Sequence, residues 1–253
     1  FPETALLSLL HRKVLDQRGC CVMEGKKEDS ILVALLLTLT GGFLDAYTFM
    51  LRGGTFANAQ TGNIVMTGVN LAKGNAGDAI TNVCAIIAFV IGILCSVFCM
   101  KNFKFKRFIT WQEFILLFET IALVLAGFVP IESKYDDIVV VTISFITAMQ
   151  YGAFKFMKDC TYATTMCTGM LRNATELLYK IIDGTEKKSE KSVCLKLYII
   201  IFTFCIGCGI GAIFSNLIGA KSVWVCAIIM FTVSFILVYE EKKNYNAVAA
   251  ANS

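Results

Sequence analysis

Six stretches of this chain stay apolar for about 18 residues or more, the length a helix needs to cross a bilayer. They run from residue 31 to 51, 83 to 100, 109 to 129, 138 to 157, 197 to 218 and 223 to 239. Amphipathic soluble helices break every few residues into polar faces, and these stretches do not. Both prolines, Pro2 and Pro130, fall outside them. Composition agrees: 57% of the 253 residues are hydrophobic and only 17% charged, with a mean hydropathy of +0.68, where soluble domains carry about a quarter charged residues. The expected class is an all-α integral membrane protein. The first thirty residues lack the basic start, short apolar run and small-residue site of a cleavable signal, and no function is read from the residues before Met23.

Against this background one segment stands out, T-F-A-N-A-Q-T-G-N from Thr55 to Asn63, with a divergent echo, T-Y-A-T-T-M-C-T-G-M, from Thr161 to Met170. A shift of 107 residues places Phe49-Met50 on Phe156-Met157 and Thr61-Gly62 on Thr168-Gly169. The order of elements, long, motif, long, long, then repeats. Lys and Arg collect in cytoplasmic loops, and here they gather at Lys26-Lys27, Lys101–Arg107, Lys187–Lys191 and Lys242-Lys243. If both motif segments crossed fully, giving eight spans in a 4+4 parallel repeat, the Lys101–Arg107 loop would lie outside. If both are short broken or re-entrant helices, every basic loop and both termini are cytoplasmic. The halves then become two inverted three-span repeats with about six transmembrane helices, an arrangement common in secondary transporters. The expected division is a cytoplasmic tail over 1–29, repeats over 30–130 and 131–240, and a cytoplasmic tail over 241–253.

Irregular backbone at membrane depth must be buried in protein or line water, and Gly53-Gly54 permits the required bend. On a helix, Gln60, Asn63, Thr67 and Asn70 share one face, with Val65 and Val69 away from it. The second copy offers Thr165, Thr168, Arg172 and Thr175, with Glu176 four residues after Arg172. Such stripes suit a path for a small polar solute. They suit equally the hydrogen-bonded packing of one helix on another. Ionisable groups inside apolar blocks are costly and are candidates for function: Asp45, Arg52, Glu119, Lys155 and Asp159. Asp45 could take up a proton in a coupled cycle, or pair with Arg52 or Lys155 and fasten the broken segments. Glycines at 92, 207, 209 and 211 read as close helix packing.

Nine of the eleven cysteines lie in or beside apolar blocks. Cys205 and Cys208 form a CxxC without a second pair or a nearby histidine, so neither a metal site nor a cofactor is expected. The net charge of +4 is modest and clustered in loops, which speaks to membrane orientation and not to nucleic acid. No catalytic motif of a hydrolase or metalloprotease occurs, and an enzyme is not expected.

The block from Gly41 to Asn63, G-G-F-L-D-A-Y-T-F-M-L-R-G-G-T-F-A-N-A-Q-T-G-N, resembles the signature of the YoaK family of small bacterial inner-membrane proteins, a domain of unknown function sometimes labelled permease. The likeness extends from about Ser30 to Tyr239, with Thr168-Gly169 similar to the second motif. It implies about six helices in the bacterial inner membrane and marks Gly42, Asp45, Arg52, Asn58, Thr61, Gly62 and Asn63 as the family block. It supplies no reaction. The leading expectation is a secondary transporter with the lipid bilayer and a small polar solute as partners, and a homo-oligomer left open. In this reading Asp45 couples or gates, and Gln60, Thr61, Asn63, Thr165 and Thr168 line the site. A passive pore would keep its flux when Asp45 is neutralised. A non-transporting scaffold would fill both stripes with side-chain partners.

Overall fold

The computed structural model describes residues 31–102, 110–154, 156–157, 160–161, 167–185 and 188–251. In chain order the helices are α1 (Ile31–Leu51), α2 (Gln60–Ala72), α3 (Ala76–Asn102), α4 (Trp111–Ala126), α5 (Asp136–Ala153), α6 (Cys167–Ile182), α7 (Lys188–Ile218) and α8 (Val223–Ala251). The one strand pairing among the described residues is a minimal antiparallel contact, Phe156–Met157 with Cys160–Thr161. This is a helical membrane protein. Among the described residues, three stretches are long and apolar enough to cross a membrane: Ile31–Leu51, Ala76–Asn102 and Glu190–Tyr239.

The bounds follow local chemistry. Helix α1 covers the first apolar block from end to end and stops where Gly53 and Gly54 both take positive φ, 80° and 73°. That left-handed region is open to glycine and strained for most other residues. Helix α4 starts at a capping box: Thr110 accepts from the Glu113 amide, and Glu113 accepts from the Thr110 amide at 2.8 Å. It is only 16 residues long, shorter than the block that predicts it. Helix α5 ends at Ala153, before Phe156–Met157, so the fourth apolar block closes in a strand pair instead of a helix. The run from Glu190 to Tyr239 is divided at Gly219, with φ 58°, and a single 3-10 segment, Gly219–Ser222, into α7 and α8.

Large apolar side chains from several helices form the core, but α3 packs the other way round. On α3 the buried residues are Ala79, Thr81, Asn82, Ala85, Ala88, Gly92 and Ser96, while Ile80, Ile87, Leu94 and Phe98 lie on the surface. Small residues inside let backbones approach, and large apolar ones outside suit lipid. The most extensive helix contacts are α1 on α7 and α3 on α5, followed by α4 on α8, α2 on α3 and α6 on α7. Glycines set the closest of these. A Cβ at Gly42 would strike the Phe204 carbonyl, and one at Gly207 or Gly211 the carbonyls of Leu39 and Phe43, which fixes the α1–α7 crossing. At α3–α5 a Cβ on Gly92 would strike the Phe145 carbonyl, and one on Gly152 would lie 2.5 Å from the Ser96 hydroxyl. Gly209, grouped with them on sequence, has open space beside it.

Candidate functional site

The break between α1 and α2 is held by side chains of the motif itself. Asn63 is fully buried. Its side-chain oxygen accepts the Phe56 amide at 2.8 Å, and its Nδ2 donates to the Phe56 carbonyl at 2.8 Å and to the Gln60 side-chain oxygen at 2.9 Å. One asparagine thus satisfies both backbone groups of a residue that no helix or sheet serves, as buried backbone requires. Gln60 donates its Nε2 to the Ala57 carbonyl, and Thr67 returns its hydroxyl to the Asn63 carbonyl. Thr55 reaches across to the Asn82 side chain on α3 at 3.0 Å. Gly62 leaves room for the Phe56 ring, which a Cβ would meet at 2.8 Å.

Asp45 enters this break from α1. Its Oδ1 accepts the Asn58 amide at 2.6 Å and the Ala59 amide at 3.4 Å, at the start of α2. A carboxyl group at the N-cap lies beside the partial positive charge of that helix end. Asn58 also donates its Nδ2 to the Gly41 carbonyl at 3.2 Å, so α1 and the break are tied twice. The second oxygen of Asp45, Oδ2, is buried and has no hydrogen-bond partner among the described residues. The thiols of Cys167 on α6 and Cys208 on α7 lie within electrostatic reach of this carboxylate.

Arg52 does not pair with Asp45. Its guanidinium is completely buried at the end of α1. It binds the Asp136 carboxylate at 2.5 Å, the carbonyls of Pro130 and Val129 at 2.8 Å each, the Ala126 carbonyl at 3.4 Å and the Tyr47 hydroxyl. All of its N–H groups are thereby engaged, and the residue latches α1 to the α4–α5 connection. Glu119 lies elsewhere, on α4 against α8, fully buried with neither oxygen partnered among the described residues. Cys226 of α8, the position that the 107-residue shift places on Glu119, is within its electrostatic reach.

The structure therefore gathers Asp45, Asn58, Gln60, Asn63 and Thr67 around one break, and leaves Thr61 exposed at its edge. The second stripe faces the other way. Helix α6 buries Met170 and Ala174 against α7, while Thr168, Thr175 and the Arg172–Glu176 ion pair, at 2.8 Å, lie on its exposed side. Lys155, Asp159 and Thr165 lie outside the described residues. Three residues that sequence reasoning missed belong to the assembly: Tyr47, Asn82 and Asp136. The apolar-to-polar alternation at Tyr47 carries no sign of its role. The acidic start of α5 is visible in the sequence, but not that its partner stands 84 residues earlier.

The family model for a protein of unknown function, DUF1275, matches residues 33–236. The chain belongs to the DUF1275 family. The match runs from the start of α1 of this DUF1275 protein to about the middle of α8. A curated relative, the UPF0700 transmembrane protein YoaK of Bacillus subtilis (strain 168), is 23% identical over 204 residues, covering 78% of this chain and 88% of the relative. No solved structure matches the DUF1275 chain significantly.

Proposed function

We propose that this DUF1275 protein is a secondary transporter for a small polar solute, working by alternating access of two halves, α1–α4 and α5–α8. The observation that carries this reading is the Oδ2 of Asp45, a carboxylate oxygen buried beside a broken helix with no partner among the described residues. Such a group inside a membrane bundle is costly unless something meets it during function. The helix packing supports the division into halves. Exchanging α1 with α5, α2 with α6, α3 with α7 and α4 with α8 turns the α1–α7 contact into α5–α3 and the α2–α3 contact into α6–α7, and it leaves α4–α8 unchanged. A bundle with this internal exchange and a cytoplasmic location for its basic loops has two three-span repeats of opposite orientation, in the inner membrane of a bacterium, with both termini cytoplasmic.

The site lies at the α1–α2 break, with Asp45 as the coupling carboxylate and Asn58 holding the break in place. Glu119, on the α4–α8 contact that the exchange leaves in place, is suited to a second protonation site. Purified protein in liposomes, offered a broad panel of polar solutes with and without a pH gradient, tests the proposal. Accumulation of one solute that Asp45→Asn abolishes is the expected result, and movement of none overturns it.

One observation favours a non-transporting scaffold instead. Gln60, Asn63 and Thr67 spend their polar groups within the segment, as the packing reading of the stripe requires. Cysteine substitutions at Asn58 and Thr61 separate the two. Reaction with a water-soluble maleimide supports transport, and protection of both supports the scaffold.

A further inference from the structure

The buried acidic and basic side chains of this bundle are unevenly partnered, and what is left over bears on what the site accepts. Four Asp, Glu, Lys or Arg side chains among the described residues are at least nine-tenths buried: Asp45, Arg52, Glu113 and Glu119. Arg52 is neutralised by Asp136 and saturated by carbonyls. Glu113 is engaged in the cap of α4. What is left over is acidic, namely Asp45 Oδ2 and both oxygens of Glu119. The last two amides before α2, those of Asn58 and the N-cap residue Ala59, are already held from within by Asp45 Oδ1. A solute anion arriving beside them would meet the carboxyl group of Asp45.

We infer that the ligand of this site carries positive charge and meets Asp45 Oδ2, either a proton that binds the oxygen or a small ammonium cation that donates a hydrogen bond to it. The inference rests on the transporter reading for its location and adds the class of ligand. The geometry gives Asp45 a divided role, in which one oxygen fastens the break and the other faces the ligand. Among the described residues the titratable groups in reach are Cys167 and Cys208, with Cys205 next to both, and none of these three is a cation; Lys155 and Lys158 lie outside the described residues. The expected metal-free character of the site is a separate matter, and a single carboxylate oxygen suits one donor of one charge better than a divalent ion, which needs several oxygen ligands.

The division of labour supplies the test. In Asp45→Asn the Oδ1 acceptor remains for the two amides, while the charge on the other branch is lost. Thermal unfolding of the full chain in detergent, with methylammonium chloride as one probe and sodium acetate as the opposite, reads ligand stabilisation. Proton uptake in unbuffered detergent solution reads the proton arm. If ammonium is the ligand, methylammonium stabilises the wild type and Asp45→Asn weakens its apparent affinity about tenfold or more. If the proton is the ligand, methylammonium has no effect and Asp45→Asn removes one equivalent from the uptake curve. Acetate stabilisation that depends on Asp45, or wild-type and Asp45→Asn proteins alike in both arms, overturns the inference. Carbodiimide labelling of the unmodified protein, read at Asp45 by peptide mass spectrometry, covers a variant that does not fold. Labelling indifferent to both methylammonium and pH overturns it as well. Failed flux beside successful binding would remove the transporter reading alone.

Discussion

Asn63 and Arg52 solve the same problem at two different places, the α1–α2 break and the α4–α5 connection, since backbone that leaves a helix inside an apolar protein needs partners for its amides and carbonyls. Asn63 supplies both to Phe56. Replacing Asn63 with Ala strips two backbone groups of their partner at once, and a loss of up to about 2–6 kcal/mol in unfolding free energy is expected from the cost of one unsatisfied buried group taken twice. Asn63→Asp keeps the acceptor and loses the donor, so it should fall between. Chemical unfolding in mixed micelles ranks the three. Arg52→Met leaves Asp136 without its counter-ion, and breaking a buried pair from one side costs about 3–5 kcal/mol. The Arg52→Met/Asp136→Leu double variant should recover part of that loss, measured as the coupling term of the cycle. The residue types at both places were legible in the sequence. Their partners were not, because hydrogen bonds to carbonyls far along the chain leave no mark on composition or spacing.

Among the elements, α2 and α6 make the clearest contrast. Spacing correctly put Gln60, Asn63, Thr67 and Asn70 on one face, and on α2 that face turns inward: Asn63 and Asn70 are the buried residues. The same spacing on α6 turns outward, since Met170 and Ala174 are what α7 receives. Periodicity states which residues share a face and is silent about which neighbour that face meets. The glycines were better signposts. Gly42, Gly207 and Gly211 stand where a Cβ would strike backbone, which cannot move aside as a side chain can. Gly207→Ala should therefore separate α1 from α7 and lower the unfolding midpoint in detergent by several degrees. Gly209→Ala, with open space around it, should be neutral or slightly stabilising, because alanine favours the helix by about 1 kcal/mol over glycine. A pair of melting curves settles this contrast.

For the whole molecule, the first apolar block, its glycine stop and the order of long and broken elements were readable from the chain. The limits of the shorter helices were not, since tight capping at Thr110 and the early end of α5 depend on local hydrogen bonds. The proposed two-repeat arrangement makes a prediction at this scale. Single cysteines near Phe103 and near Lys134, in an otherwise cysteine-free chain, should react with an impermeant maleimide from opposite sides of inside-out and right-side-out vesicles, with Phe103 on the cytoplasmic side. Both on one face would dismantle the two-repeat arrangement. The latch at Arg52 has a further consequence, for biogenesis. Its acceptors, from Ala126 to Asp136, lie 74 to 84 residues downstream. A nascent chain leaving the ribosome must therefore park a naked guanidinium near the headgroups until the fourth and fifth helices are made. A chain truncated before Pro130 should accordingly be a substrate for membrane quality-control proteases, whatever the strength of its individual helices.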